Sequence, residues 1–237
     1  METIIHIPNN LYKKDSGSEN LNFLLHYPKT YIMDNHLAAG WGWLQELDSK
    51  ESYCFFHIDQ HDDLCDGGNY DLFVHLKGNP HISIEDYTNL EFCREQFKYK
   101  VFRWDNYIRQ IQYLFPQWFS ESSFACHERV CDKHPLLNIH YNPTPFELYD
   151  NIEYWVGRES KDFIFNLDID YFFSKGMCIF SDGYIKSFAQ ELNRAMRKIA
   201  VLTIALSPEC CGGWANSIRV FNILAEELDV IDENPFV

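Results

Sequence analysis

Short apolar runs alternate along the chain with segments in which apolar residues recur every three or four positions. Continuous apolar runs are typical of buried parallel strands, and they predict strands over residues 3–7, 30–33, 53–58, 100–102, 137–140, 163–167 and 200–206. The three-to-four spacing predicts helices over residues 36–47, 84–96, 104–115, 145–156, 182–199 and 213–228. Residues 116–133 keep neither period and receive no element. The alternation predicts an α/β fold, a three-layer α/β/α arrangement around a central, mostly parallel sheet.

The chain shows no internal boundary between folding units. No repeat, low-complexity tract or linker divides its 237 residues, so we interpret residues 1–237 as one domain. Hydrophobic residues make up 46% of the chain and aromatic residues 16%, which argues against intrinsic disorder. The eight cysteines are spread along a chain that is long enough to fold without crosslinks, which predicts reduced thiols.

The charge balance narrows the classes of partner. The chain has 20 basic and 35 acidic residues and a formal net charge of −15. This excess argues against binding to nucleic acid and to an anionic membrane surface. The first residues, METIIHIPNN, lack the features of a signal peptide, and no stretch approaches the roughly 20 apolar residues of a membrane span. We therefore expect a soluble, cytoplasmic protein that favours cationic ligands.

Acidic residues and histidines follow four of the predicted strands. In a parallel sheet, the carboxyl ends of the strands share the edge at which ligands bind. At these ends the sequence has Asp34-Asn35-His36, Asp59-Gln60-His61-Asp62-Asp63, Asp168-Ile169-Asp170 and Ser207-Pro208-Glu209. A spacing of two residues would direct Asp59, His61 and Asp63 to one side of an extended chain. Because so many carboxylates on one edge would repel one another without cations, the set predicts a metal site.

These motifs resemble a known family in order as well as in type. A DxHxD motif, a later DxD pair, an upstream histidine and a downstream glutamate are similar to the arginase and agmatinase branch of the ureohydrolase superfamily. The resemblance implies two Mn²⁺ ions, with Fe²⁺ or Co²⁺ as alternatives, and the carboxylate-rich set of ligands agrees with manganese. It assigns the first ion to His36, Asp59, Asp63 and Asp168, and the second to His61, Asp59, Asp168 and Asp170.

The same resemblance implies roles for further residues. In arginase-like enzymes the metal pair activates water for attack on a guanidinium carbon. Asp63 is then the proton acceptor and shuttle, and Glu209 binds the guanidinium group. The additional catalytic histidine of arginases corresponds best to His75, with His81 as the next choice.

A more specific likeness concerns the substrate. The stretches FHIDQHDDL, HISIEDY and FNLDIDYFFS resemble a smaller, divergent arginase-like family. That family includes peptide arginases, which convert arginine to ornithine within ribosomally made peptides and release urea. The resemblance therefore implies an arginine-containing precursor peptide as the partner. It decides neither whether the chain forms a homo-oligomer nor what Cys210 and Cys211 do.

Three other functions stay open. The first is an ordinary ureohydrolase that acts on free arginine, agmatine or another small guanidino compound. The second is a deacetylase-like amidohydrolase with one zinc ion, which the lack of a His-His pair and the presence of His61 and Asp170 disfavour. The third is a metal-binding protein that has the fold without catalysis.

Overall fold

The computed structural model describes residues 1–6, 15–66, 74–127, 139–141, 143–232 and 234–236. In chain order its strands are β1 (Glu2–His6), β2 (Phe23–Tyr27), β3 (Thr30–Met33), β4 (Cys54–Asp59), β5 (Glu91–Arg94), β6 (Phe97–Lys100), β7 (Glu121–Cys126), β8 (Ile139–Tyr141), β9 (Phe163–Asp168), β10 (Phe173–Ser174), β11 (Met177–Cys178) and β12 (Ile199–Ala205). Its α-helices are α1 (Ala39–Glu46), α2 (Ile84–Asn89), α3 (Tyr107–Leu114), α4 (Pro145–Arg158), α5 (Asp182–Ala195) and α6 (Trp214–Glu227).

Most of the strands form one sheet. Within the described residues this sheet has eight strands in the order β1-β2-β3-β12-β9-β4-β7-β8. Six neighbouring strands of this sheet run parallel to one another, in the order β3-β12-β9-β4-β7-β8. Strands β1 and β2 extend the sheet beyond β3 as antiparallel strands. The chain is therefore an α/β protein with a central, mostly parallel sheet, as the sequence predicts.

Helices cover both faces of the sheet, because alternate strand residues point to opposite sides. On one face, Phe56 and Phe165 pack in a core with helices α4, α5 and α6. On the other face, Phe55 and Ile164 pack in a second core with α1 and α3. This arrangement is compatible with three α/β/α layers. Burial on both faces explains why β4 and β9 are uninterrupted buried runs.

The structure corrects several predicted elements. The helix predicted over residues 84–96 ends at Asn89, and an antiparallel hairpin of β5 and β6 follows. This hairpin is mostly exposed, so its apolar spacing does not reflect a buried helical face. The strand predicted over residues 100–102 retains only Lys100. Strand β7 lies in the segment without a predicted element, and no predicted strand corresponds to β2.

Other features bear on the expected properties of the protein. None of the helices in the described residues has both the length and the apolar character that crossing a membrane requires. The seven cysteines in the described ranges are free thiols in the structure. Residues 137 and 138 of one predicted strand lie outside the described residues, as does Ile7 at the end of another.

Candidate metal centre

Four neighbouring parallel strands carry the candidate ligands to one edge of the sheet. Strands β3, β12, β9 and β4 are adjacent in that order. His36 begins a 3₁₀ turn shortly after β3, and Asp168 and Asp59 are the last residues of β9 and β4. Glu209 follows the end of β12 in the chain. Because these ends are adjacent, the structure brings together residues that are far apart in the sequence.

Two tight turns fold the second half of each motif back towards the first. The Oδ1 atom of Asp59 accepts a hydrogen bond from the backbone N–H of His61 at 2.7 Å. Likewise, Oδ1 of Asp168 accepts one from the N–H of Asp170 at 2.8 Å. Aspartate commonly closes such turns through its own side chain. The prediction that the chain is extended after Asp59 is therefore wrong. Turns closed by the aspartate side chains hold the paired ligands together instead.

A first cluster surrounds the buried His36. Its Nδ1 atom lies 3.2 Å from Oδ2 of Asp59, 3.0 Å from Oδ2 of Asp63 and 3.4 Å from Oδ2 of Asp168. The hydroxyl of Ser207 donates a hydrogen bond of 2.5 Å to the same oxygen of Asp168. Asp63 and Ser207 both have positive φ angles, of 50° and 40°, which are uncommon for residues other than glycine. Backbone strain of this kind concentrates at functional sites.

A second cluster surrounds His61, and Asp59 joins the two. Nδ1 of His61 lies 3.1 Å from Oδ2 of Asp170 and 3.5 Å from Oδ1 of Asp59. One oxygen of Asp59 thus faces His61 while the other faces His36. Asp59 is only 1% exposed, yet its Oδ2 accepts no hydrogen bond from any described residue. Imidazole nitrogens and carboxylate oxygens are suitable ligands for divalent transition metals, so both clusters can hold metal ions.

Burial and mutual repulsion shift the pKa values of the clustered carboxyl groups. Burial, with the charge of Asp59 as a further cause, raises the pKa of Asp63 to about 7 and that of Asp170 to about 6. Burial also raises the pKa of Asp168 well above its ordinary value. Hydrogen bonds to Asp170 and Asp59 raise the pKa of His61 to about 11. The metal-free cluster therefore retains protons at neutral pH, and bound cations would take their place.

These shifts predict that the metal-free protein loses stability as the pH rises from about 6.5 to about 8.5. Folded Asp63, with its pKa of about 7, keeps a proton that the unfolded chain has released near its ordinary value of 3.8. Its contribution to stability therefore falls until about pH 7. The contribution of His61 is complete below 6.5 and is lost towards about pH 11. Calorimetry in the presence of a chelator measures this change as a lower Tm at the higher pH. Saturating Mn²⁺ should shrink the difference, and a metal-free Tm that rises over this interval would contradict the assignment.

The buried His57 belongs to this site, although it is not among the residues predicted from the sequence. Its Nδ1 lies 2.7 Å from the amide nitrogen of Asn166, which therefore donates to it. The Oδ1 of Asn166 in turn accepts a hydrogen bond from Thr203 at 2.6 Å. Nε2 of His57 then carries the hydrogen and donates it to the backbone carbonyl of His61 at 3.2 Å, and the same atom lies 3.5 Å from Oδ2 of Asp59. Because His57 and Asp59 are two residues apart on β4, strand alternation places them on one face.

Replacing His57 with phenylalanine should weaken metal binding by about 10- to 100-fold, the usual cost of removing a group that orients a ligand. Phe55 and Phe124 already flank the ring, so phenylalanine fits an aromatic environment. Calorimetric titration of Mn²⁺ into the variant measures the loss. His75→Phe is a matched control, because His75 is exposed on the short helix Val74–Lys77. Equal affinities in His57→Phe and the wild type would exclude an orienting role.

Glu209 lies in the wall of a cavity of about 340 Å³ that also contains both clusters. Its Oε1 accepts a hydrogen bond of 2.9 Å from the backbone N–H of Ser16, and Asn35 donates to the hydroxyl of Ser16 at 2.7 Å. Its Oε2 is buried and accepts no hydrogen bond from any described residue. One oxygen is thus held in place while the other is available to a ligand. The contact with Ser16 spans 193 residues, so no local sequence signal indicates it.

The structure does not bring the predicted catalytic histidine into the cavity. His75 and the alternative His81 are both exposed, and neither belongs to the cavity wall. Besides the predicted residues, the wall contains Asn35, Asp62, Cys65, Trp104, Asp105, Ser207 and Cys210. The role of His75 therefore stays a prediction without support from its position.

No protein-family model matches the chain, and searches of curated proteins and of solved structures likewise find no match.

Proposed function

We propose that this protein is a dinuclear metal hydrolase that cleaves the guanidinium group of arginine within a peptide. Water is consumed, and the products are an ornithine residue and urea. The observation that carries the proposal is the position of Asp59, whose two oxygens face two different histidines, each with further carboxylates beside it. A carboxylate shared in this way suits a pair of ions. Mn²⁺ is the metal that the oxygen-rich ligands favour.

The charge of the cavity supports a cationic substrate. Four clustered aspartates offset two divalent ions, so metal does not offset the charge of the other acidic groups of the wall. Among them, Glu209 combines a fixed position with a buried Oε2 that accepts no hydrogen bond from the described residues. A guanidinium group donates hydrogen bonds in a planar fork that a carboxylate accepts well. Glu209 therefore binds and orients the guanidinium beside the two clusters.

The remaining chemistry is proton transfer. Bound metal ions would supply activated water at neutral pH for attack on the guanidinium carbon. Asp63 faces the cavity beside His36 and accepts the proton of the attacking water at its carboxylate. The same carboxyl group can then return the proton to the leaving nitrogen. The peptide part of the proposal comes from the resemblance of FHIDQHDDL, HISIEDY and FNLDIDYFFS to the peptide arginases.

The test is to incubate manganese-loaded protein with an arginine-containing peptide and, separately, with free arginine and agmatine. Urea release and peptide mass are followed together. We expect the peptide to lose one CH₂N₂ unit per processed arginine, with an equal amount of urea and little turnover of the small molecules. Turnover of only the small molecules would indicate an ordinary ureohydrolase. No urea from any of them, with metal bound, would indicate an amidohydrolase or a binding protein.

Replacing Glu209 with glutamine should lower kcat/KM by about 10- to 100-fold, the value of one hydrogen bond between charged groups. Glutamine can keep the acceptor for Ser16 while it removes the charge. Steady-state kinetics on the peptide measures the loss, and it should appear mainly in KM. Asp105→Asn is the matched control, because Asp105 also lines the cavity but is already paired with Arg103 at 2.9 Å. Equal losses in the two variants would show that Glu209 acts only through its negative charge and does not bind the guanidinium directly.

A further inference from the structure

Cys210 and Cys211 are neighbours in sequence but lie in different environments. Cys211 is fully buried, and its thiol donates to the backbone carbonyl of Leu206 at 3.5 Å. Cys210 is only partly buried and lines the cavity of the candidate metal centre. The backbone N–H groups of both cysteines donate to the carbonyl of Ser207, at 3.0 and 3.2 Å. This compact turn after β12 directs the Cys210 side chain into the cavity and leaves Cys211 in the core.

The Cys210 thiol completes a group of three possible ligands. Its Sγ, a ring nitrogen of His61 and a carboxylate oxygen of Asp170 all lie within 4.8 Å of one another. Thiolate, imidazole and carboxylate all bind first-row transition metals. The fully buried carboxylate of Asp59 also lies beside this group, with its Oδ1 atom 3.5 Å from Nδ1 of the same histidine. The position thus has a sulfur ligand that the resemblance to arginases does not include.

We propose that Cys210 is a further metal ligand and that its thiolate binds the ion held by His61 and Asp170. The inference rests on the metal centre of the proposed function. When the ion binds, a sulfur–metal bond replaces the S–H bond, and the thiol proton passes to solvent. Among the residues that the structure describes, no such sulfur belongs to the group at His36, where the clustered atoms are nitrogen and oxygen.

This difference makes the two metal positions chemically unequal. Sulfur favours softer ions such as Co²⁺, Zn²⁺ and Cd²⁺, whereas oxygen-rich sites suit Mn²⁺. The His61 position should therefore take the softer ion from a mixture, and the His36 position should keep manganese. A centre with one ion of each kind is the expected product when both metals are supplied.

Cobalt is the probe that tests the proposal, because thiolate bound to Co²⁺ gives a charge-transfer absorption in the near ultraviolet. Full-length protein is titrated with Co²⁺, and bound cobalt is counted by elemental analysis. We expect the wild type to develop this band as the ion binds. Cys210→Ser should lose it. Cys65→Ser is the matched control and should keep the band, because Cys65 lines the same cavity but lies outside the ligand group.

The outcomes separate this inference from the metal centre itself. Bound cobalt with the same spectrum in the wild type and Cys210→Ser would overturn the role of Cys210 and leave the metal centre intact. A wild type that binds no cobalt would overturn both. If Cys210→Ser does not fold, alkylation of the wild type gives an independent result by peptide mass. Bound Co²⁺ should slow the alkylation of Cys210 by about tenfold or more, since a metal-bound sulfur is a poorer nucleophile. The alkylation rate of Cys65 should not change. Equal rates with and without cobalt would overturn the proposal.

Discussion

Replacement of Asp59 with alanine should remove both metal ions at once and lower turnover by about a thousandfold or more, because metal catalysis supplies several kcal/mol and each 1.36 kcal/mol is a tenfold change in rate. The reason is the shared position of this side chain. Its Oδ2 lies 3.2 Å from His36, and its Oδ1 lies 3.5 Å from His61. Loss of a ligand that serves one ion would leave the other in place, whereas loss of the shared ligand affects both.

The measurement is metal content after loading with manganese and removal of free ions, together with urea release from the peptide. Asp62→Ala is the matched control. Asp62 belongs to the same loop and also lines the cavity, but it is not among the groups that can hold a metal. We expect Asp62→Ala to bind as much manganese as the wild type. If Asp59→Ala also bound the wild-type amount, Asp59 could not be the shared ligand.

Asp63→Asn should lower kcat by about 100- to 10,000-fold, the usual contribution of a group that transfers a proton. Asparagine preserves the size of the side chain and tolerates the positive φ of 50° at this position. It also retains an oxygen that can face the His36 cluster. Because this oxygen is retained, the variant can still bind metal. Because the basic carboxylate is lost, the variant cannot accept the proton of the attacking water.

Two readouts separate this role from simple ligation. Metal content should stay near that of the wild type, and kcat should fall far more than KM rises. The carboxyl pKa of about 7 in the metal-free protein shows how strongly burial acts on this group. A variant whose kcat stays within a few-fold of the wild type would exclude Asp63 as the proton acceptor. Loss of the ions would make it chiefly a ligand.

The position of the candidate site can be predicted from the sequence, because short apolar runs reveal where the strands end. Strands β4 and β9 are buried runs, and each ends in an aspartate that is the first of several candidate metal ligands. In a parallel sheet these ends share one edge, so their convergence follows once the strands are recognised. The structure agrees because β4 and β9 are direct neighbours.

Other features could not be predicted from the sequence, for physical reasons. Strand β2 and the hairpin of β5 and β6 form antiparallel pairs with neighbours near in the chain, and their short apolar spacing also fits a helix or a loop. The contacts of Glu209 with Ser16 and of His57 with Asn166 join residues far apart in the sequence. Cys210 and His61 are likewise far apart in the sequence but close together in the structure. Such contacts depend on tertiary structure, which no local pattern encodes.

In the function proposed above, the clustered aspartates and histidines hold two divalent ions that share Asp59. The most direct measurement combines elemental analysis of manganese-loaded protein with electron paramagnetic resonance of the same sample. We expect two manganese ions per chain with the spectrum of an exchange-coupled pair, and loss of both ions in Asp59→Ala. A single ion per chain at saturation, or two ions with the spectrum of isolated manganese, would contradict it.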